Sequence, residues 1–229
     1  EDDISYFSSL HLFSEEFLQY LKNFRFKGDI YAFPEGTVMY PNEPVLTVIA
    51  PLIDAQLIET AVLAQINHQS LIATKTQRIV KAADGRPVSD FGARRAHNMD
   101  AAVYGARAAY IGGAAGTATV LAGKQFGIPV GGTMAHSYVM YYQDELTAFR
   151  KYAAIYPDNC ILLVDTIDVL KSGVPHAVEV FREMQAAGIP LTVYGIRLDS
   201  GDLAYLSKKA RKMLDEAGFP DARIVVSNS

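Results

Sequence analysis

The sequence predicts an α/β fold in which parallel strands alternate with helices, joined to part of a small β-rich domain near the start of the chain. Three observations carry this. From residue 110 on, short apolar runs alternate with helical stretches, the rhythm of parallel strands with right-handed crossovers. Ile161-Leu162-Leu163-Val164 is apolar throughout, as a strand covered on both faces is. Each strand of the series then ends in polar residues, which parallel pairing places on one edge of the sheet. An α/β barrel and an open doubly wound sheet both satisfy this pattern. The chain divides at Asp84-Gly85-Arg86-Pro87 into residues 1–85, with a helical lead-in, the β-rich part and a long helix, and residues 86–229, which carry the strand–helix series and the candidate site residues.

The elements follow in order. Residues 1–27 read as helical, with Ser14 as N-cap and Glu15 and Glu16 in a first turn ahead of Phe17, Leu18 and Leu21. Residues 29–33, 37–40 and 45–49 are short β-rich runs, punctuated by Pro34-Glu35-Gly36 and by Pro41-Asn42-Glu43-Pro44. Residues 54–82 carry Leu57, Ile58, Ala61, Ile66, Ile72 and Ile79 at roughly helical spacing, up to Asp84-Gly85-Arg86-Pro87. Residues 98–110 form an Ala-rich helix, and Ile128-Pro129-Val130 a short strand. Residues 161–164, 191–196 and 224–226 are the next strands. Between them lie helices over 174–187, ended by Gly188 and Pro190, and over 202–217, ended by Gly218. These strands are too few to close a barrel, which takes eight in about 250 residues.

Net charge is −4 and no Lys/Arg cluster stands out, so the electrostatic footprint of a nucleic-acid binder is missing. No apolar run reaches the roughly 18 residues of a membrane span, and no signal peptide is seen. Cys160 is the only cysteine; that rules out an internal disulfide and fits a reducing cytoplasm. Half the residues are hydrophobic, enough for a sizeable core. Glu1 rather than Met opens the chain, and residues 223–229 read as a strand running off its end. The expectation is an internal piece of a longer protein.

Polar strand tips supply the candidate site. Asp165, Thr166 and Asp168 follow Val164; Arg197, Asp199, Ser200, Gly201 and Asp202 follow Ile196; Ser227 and Asn228 follow Val226. Arg197 is suited to hold a phosphate or carboxylate by two parallel bonds. Asp165, Asp199 and Asp202 are suited to ribose hydroxyls or Mg²⁺, and Asp202 equally to capping the next helix. Together they suit a phosphorylated sugar. Two glycine-rich loops, Gly112-Gly113-Ala114-Ala115-Gly116-Thr117 and Gly131-Gly132-Thr133-Met134-Ala135-His136-Ser137, expose backbone N–H groups to an anion, although glycines serve tight turns too. A lone histidine is usually packed or at the surface, and His11, His68, His97 and His176 are read so. His136, between a Gly-Gly-Thr turn and a serine, is the exception. Arg94 and Arg95 sit in a short loop beside Phe91, where an aromatic face and a guanidinium can sandwich a flat aromatic anion.

These stretches bring a family into view. Residues 24–31, 34–37 with 41–44, 71–75, 90–95, 131–137, 163–166 and 197–202 come in the same order as in nicotinate phosphoribosyltransferases, and the chain resembles that family over essentially its whole length. The resemblance implies an incomplete irregular α/β barrel of the type II phosphoribosyltransferase kind, with part of a small β-rich N-terminal domain built in the family from both chain ends. It implies transfer of phosphoribosyl from phosphoribosyl pyrophosphate (PRPP) to nicotinate. The products are nicotinate mononucleotide and pyrophosphate, in the first step of NAD synthesis from nicotinate. ATP is a co-substrate, coupled through a phosphohistidine, and Mg²⁺ is required. His136 matches that histidine, with Asp165 and Asp199 beside it in the catalytic set. Phe91 matches the ring-stacking residue, Arg94 a substrate-binding arginine, and Ser137 the neighbour of the nicotinate carboxylate. Asp165, Arg197, Asp199 and Gly201 match PRPP-binding strand tips, and Thr133 and Ser200 join the substrate-binding set. A cytoplasmic homodimer of the full-length protein is expected, with no nucleic-acid or membrane partner. The family's N-terminal tyrosine segment, later barrel strands and glycine-rich phosphate loop have no counterpart in this sequence.

Three other readings compete. Nicotinamide phosphoribosyltransferase tends to carry an Asp in the loop matching Gly113–Thr117, where this chain has Ala114 and Ala115 and no acid. Quinolinate phosphoribosyltransferase lacks the phosphohistidine. A non-catalytic nucleotide-binding relative is disfavoured by His136, Arg94, Asp165, Arg197 and Asp199 all being present.

Overall fold

The computed structural model of the chain describes residues 2–142 and 144–227. Asn228, counted above among the strand tips, lies outside them. The chain forms two compact units, one ending at Val130 and one beginning at Gly131. The first unit thus takes in residues 86–130 as well, for two reasons of packing. The Ala-rich helix lies along the long helix before it, and a short parallel strand pair links residues 89–90 to 116–117.

In the first unit, helices α1 (Asp2–Ser9) and α2 (Glu15–Lys22) make the lead-in. Ser14 caps α2 as expected, accepting the Phe17 N–H at 3.2 Å. Strands β1 (Asp29–Ala32) and β2 (Leu46–Ile49) pair antiparallel, Asp29 opposite Ile49. The middle β-rich run, residues 37–40, forms no strand. It lies in the connection between the paired strands, tied by a Thr37 N–H to Pro34 carbonyl turn, with Val38 and Tyr40 exposed. The long helix α3 (Leu52–Ala82) begins beside buried Asp54, which accepts the Tyr20 hydroxyl and the Lys27 N–H. Those two donors hold the Asp54 carboxyl below its usual range, the Tyr20 bond first, and fasten the lead-in to α3. Helix α4 (Met99–Ile111), capped by Asn98, packs on α3. Between them come β3 (Ser89–Asp90) and a 3₁₀ turn, Ala93–Arg95. After α4 come β4 (Gly116–Thr117), parallel to β3, and α5 (Val120–Phe126). Val103, Ala106, Ala122 and Ile128 form a small core. The strand expected at 128–130 is reduced to one bridge, Val130 to Thr117, because Pro129 has no N–H to donate and contributes only its carbonyl, to the Thr117 N–H.

The second unit is a three-stranded parallel sheet in the order β5 (Asn159–Leu163), β6 (Val193–Leu198), β7 (Arg223–Val226). Among the described residues no barrel is closed, in line with the count of strands. Helix α6 (His136–Tyr141) and helix α7 (Glu145–Ile155) precede the sheet. A π-helical turn, Val169–Gly173, leads into α8 (Val174–Ala186), and α9 (Leu203–Glu216) joins β6 to β7. The core is Phe149, Phe181, Phe219, Leu162, Leu163, Ile196, Leu198 and Leu214, all buried. Strand β6 runs two residues later than its apolar run suggests, since a Thr192 N–H to Pro190 carbonyl turn delays its start. Arg197 therefore lies inside the ladder, opposite Leu163 and Val225, and not beyond its end.

Cys160 is fully buried in β5, and burial pushes its thiol up to about 12. The thiolate is the reactive form, so the native protein should leave Cys160 untouched by a thiol reagent at pH 8. One equivalent should react on denaturation; rapid native labelling at Cys160 would contradict this packing.

Candidate active site

The polar tips of β5, β6 and β7 converge with the first residue of α6. His136 Nε2 lies 3.1 Å from Asp165 Oδ1, and His136 Nδ1 lies 4.0 Å from Asp199 Oδ2. Helix α6, which carries His136 and the exposed Ser137, is anchored by buried Val139 and by Tyr138 packed edge-on against Tyr142 and Tyr152. Burial, then its contact with Tyr142, pushes the Tyr138 hydroxyl up to about 12.

Asp165 is the hub. Its side chain is 2% exposed, and both oxygens are engaged: Oδ1 by His136, Oδ2 by the Asp199 N–H at 2.9 Å and the Ser200 hydroxyl at 2.6 Å. A buried carboxylate needs such donors. These contacts orient the His136 ring and the loop after β6. Arg197 is likewise engaged within the protein. Its guanidinium is buried, not open for a two-bond grip on an anion. Nη1 lies 2.9 Å from Asp199 Oδ1 and donates to Ser227 at 2.9 Å; Nη2 donates to the Met134 carbonyl at 3.0 Å. Placement inside β6 is the cause. Arg197 ties the His136 loop, through Met134, to the tips of β6 and β7.

Ser200 and Gly201 form the turn into α9, where Gly201 has φ +79, a conformation that costs a side-chain-bearing residue free energy. Asp202 is the N-cap of α9, accepting the Tyr205 N–H at 2.9 Å, and Asp168 caps the π-helical turn. Capping accounts for both. Thr133 is exposed in the loop before α6. Among the described residues no group of three or more His, Cys, Asp or Glu side chains is placed to hold a metal ion, and no helix is long and apolar enough to cross a membrane.

Phe91 and Arg94 belong to the first unit. Both are exposed, Phe91 by 39%, on the turn between β3 and α4. The loop at 112–117 has a packing explanation: a Cβ on Gly112 would meet the Ala73 carbonyl at 2.6 Å, and one on Gly116 the Pro129 carbonyl at 2.7 Å. Gly131 and Gly132 face open space. His176, read as an ordinary packed histidine, has a partner in buried Glu145, at 2.8 Å.

Ser227 is the site residue that sequence reasoning undervalued. It accepts from Arg197 and donates to Asp199. Its position at a strand tip was the available signal; a single serine there is otherwise unremarkable.

Comparison with known proteins adds an independent line. A family model described as the nicotinate phosphoribosyltransferase (NAPRTase) N-terminal domain matches residues 1–67, and one described as the nicotinate phosphoribosyltransferase (NAPRTase) family matches residues 87–226. The nicotinate phosphoribosyltransferase of Bacillus subtilis is 53% identical over 228 residues, covering 100% of this chain and 46% of the relative. A Mycobacterium tuberculosis nicotinate phosphoribosyltransferase is 51% identical over 228 residues, covering 100% and 48%. The crystal structure of human nicotinic acid phosphoribosyltransferase superposes with a TM-score of 0.86 at 27% identity, covering 100% of this chain and 57% of that one. The chain spans about half the length of the curated relatives it matches.

Proposed function

The chain belongs to the nicotinate phosphoribosyltransferase family, and from that premise we propose that the whole protein transfers phosphoribosyl from PRPP to nicotinate, coupled to ATP hydrolysis through a phosphohistidine at His136. One observation carries the reading: the His136 ring is held between Asp165 and Asp199 at the tips of a parallel sheet, where α/β folds place their chemistry.

In the transfer, the nicotinate ring nitrogen forms a bond to the anomeric carbon as the bond to pyrophosphate breaks, and pyrophosphate leaves with the electron pair. Charge separates at that carbon, so positioning and fixed charges supply most of the acceleration. Phe91 is read as the ring-stacking residue and Arg94 as a donor to the carboxylate, both in the turn after β3; Ser137 is read as a carboxylate neighbour from the family match alone. In the coupling step, Nε2–H donated to Asp165 leaves the lone pair on Nδ1. The partner of one ring nitrogen sets the state of the other. Attack by Nδ1 on the γ-phosphorus of ATP forms an N–P bond and releases ADP; water later cleaves that bond to give phosphate.

Mg²⁺ enters this reading only as a companion of the substrate phosphates. The Asp165 carboxylate is already engaged and Asp202 caps α9, so these residues make no resident metal site, and no step is derived through the ion. A cytoplasmic homodimer completes the reading.

Substrate choice tests it. Arg94 and Ser137 favour a carboxylate, and Gly113–Thr117 holds no acid to receive an amide. Charge-assisted hydrogen bonds exceed neutral ones by ~1–1.5 kcal/mol each, so two of them favour the acid by about 10²-fold. The full-length protein should show that preference for nicotinate over nicotinamide in kcat/KM. Equal values would defeat this reading.

A further inference from the structure

We propose that Thr117 is a positioning residue for the pyridine substrate, acting through Asp90 to lock the turn that carries Phe91 and Arg94. The proposal rests on the reading of those two residues as substrate contacts. Its starting point is register. Asp90 and Thr117 are direct partners across the parallel β3–β4 pair. Thr117 is 1% exposed, and its hydroxyl donates to Asp90 Oδ2 at 2.8 Å while accepting the Thr119 N–H at 2.9 Å. The other oxygen, Asp90 Oδ1, accepts the Gly92 N–H at 3.0 Å. The Gly92 carbonyl in turn accepts the Arg95 N–H at 2.9 Å, which opens the 3₁₀ turn holding Arg94. A continuous chain of hydrogen bonds thus runs from a buried hydroxyl to an exposed substrate turn.

The chain explains how an exposed segment is held in one conformation. Asp90 also accepts the Ala118 N–H on its backbone carbonyl, at 2.9 Å, so the backbone on both sides of Phe91 is fixed while the ring faces outward. A turn ordered before the substrate arrives loses less conformational freedom on binding. Without the Thr117 hydroxyl, Oδ2 has no donor from β4. Water becomes its natural partner, and a carboxylate that turns toward water releases Gly92. Threonine suits the position because one hydroxyl both donates and accepts.

The test uses the full-length protein with Thr117→Val, which keeps the shape and removes the hydroxyl, and Thr117→Ser, which keeps the hydroxyl. Two readouts are taken: hydrogen–deuterium exchange of the amides from Gly92 to Arg95, and steady-state kinetics. In Thr117→Val, exchange in that turn should quicken about tenfold, and KM for nicotinate should rise about tenfold. KM for PRPP should stay within about twofold. Thr117→Ser should restore both. Unchanged exchange in Thr117→Val overturns the lock, whatever the substrate proves to be. Faster exchange with unchanged KM for nicotinate, or equal rises in KM for nicotinate and PRPP, overturns the positioning role and leaves Thr117 as β3–β4 packing. If the wild-type protein does not use nicotinate, the proposed function fails and the positioning role with it, while exchange still decides the lock. Should Thr117→Val not fold, Thr117→Ala removes the same hydroxyl with a smaller side chain and is read in the same way.

Discussion

Replacing His136 by alanine in the full-length protein should abolish ATP-coupled turnover while leaving a slow, ATP-independent reaction of PRPP with nicotinate. The proposed nucleophile for ATP is lost, while Phe91, Arg94 and Ser137, the proposed contacts of nicotinate, are kept. ATP hydrolysis should fall by on the order of 10³-fold or more. His136→Asn tests shape separately from chemistry, since the amide can still donate to Asp165 but has no nucleophilic ring nitrogen. It should be as inactive toward ATP as the alanine variant. Label from γ-labelled ATP should be acid-labile and base-stable in the wild type and absent from both variants. Normal labelling of His136→Ala would move the assignment elsewhere, with His97 the next candidate.

The second large effect is expected at Asp165. In Asp165→Asn the amide NH₂ cannot accept, so the donors on its side lose their acceptor: either the His136 Nε2–H, or the Asp199 N–H together with the Ser200 hydroxyl. If the NH₂ faces His136, the ring takes the tautomer with its hydrogen on Nδ1, and the nucleophilic lone pair turns away from the side near Asp199. If it faces Asp199, two donors meet. The first outcome should lower ATP-coupled turnover by ~10²- to 10⁴-fold, as wrong-tautomer variants of catalytic histidines do. The second should cost ~1–3 kcal/mol of stability. Kinetics and a thermal melt together separate them. A variant with wild-type coupling and wild-type Tm would show that Asp165 does not govern His136.

The strand tips were legible because parallel pairing leaves little choice about where they go. Asp165, Asp199 and Ser200 follow apolar runs that can only be buried strands, and they meet where that rule puts them. What the tips do there was not legible. Arg197 looks like an anion clamp when β6 is ended at Ile196. The actual strand runs on to Leu198, and two residues of register turn an exposed guanidinium into a buried tie between loops. Asp90 with Thr117 was equally hidden. They are 27 residues apart, and nothing in either local pattern announces that two-residue strands will pair. Residues 37–40 erred the other way: their β-propensity is real, yet they lie in the connection between β1 and β2 and pair with neither. The β-propensity of a short run describes a fit to a pleated surface, and a partner must exist for it to count.

The account stands most directly on product formation by the full-length protein. Ring-labelled nicotinate, nicotinamide and quinolinate are each supplied with PRPP, with and without ATP, and the products are separated and counted against pyrophosphate released. The expected result is nicotinate mononucleotide in a one-to-one ratio with pyrophosphate, accelerated by ATP, with little product from the other two pyridines. Mononucleotide from quinolinate or nicotinamide at rates equal to nicotinate, or none from any of the three, would contradict it.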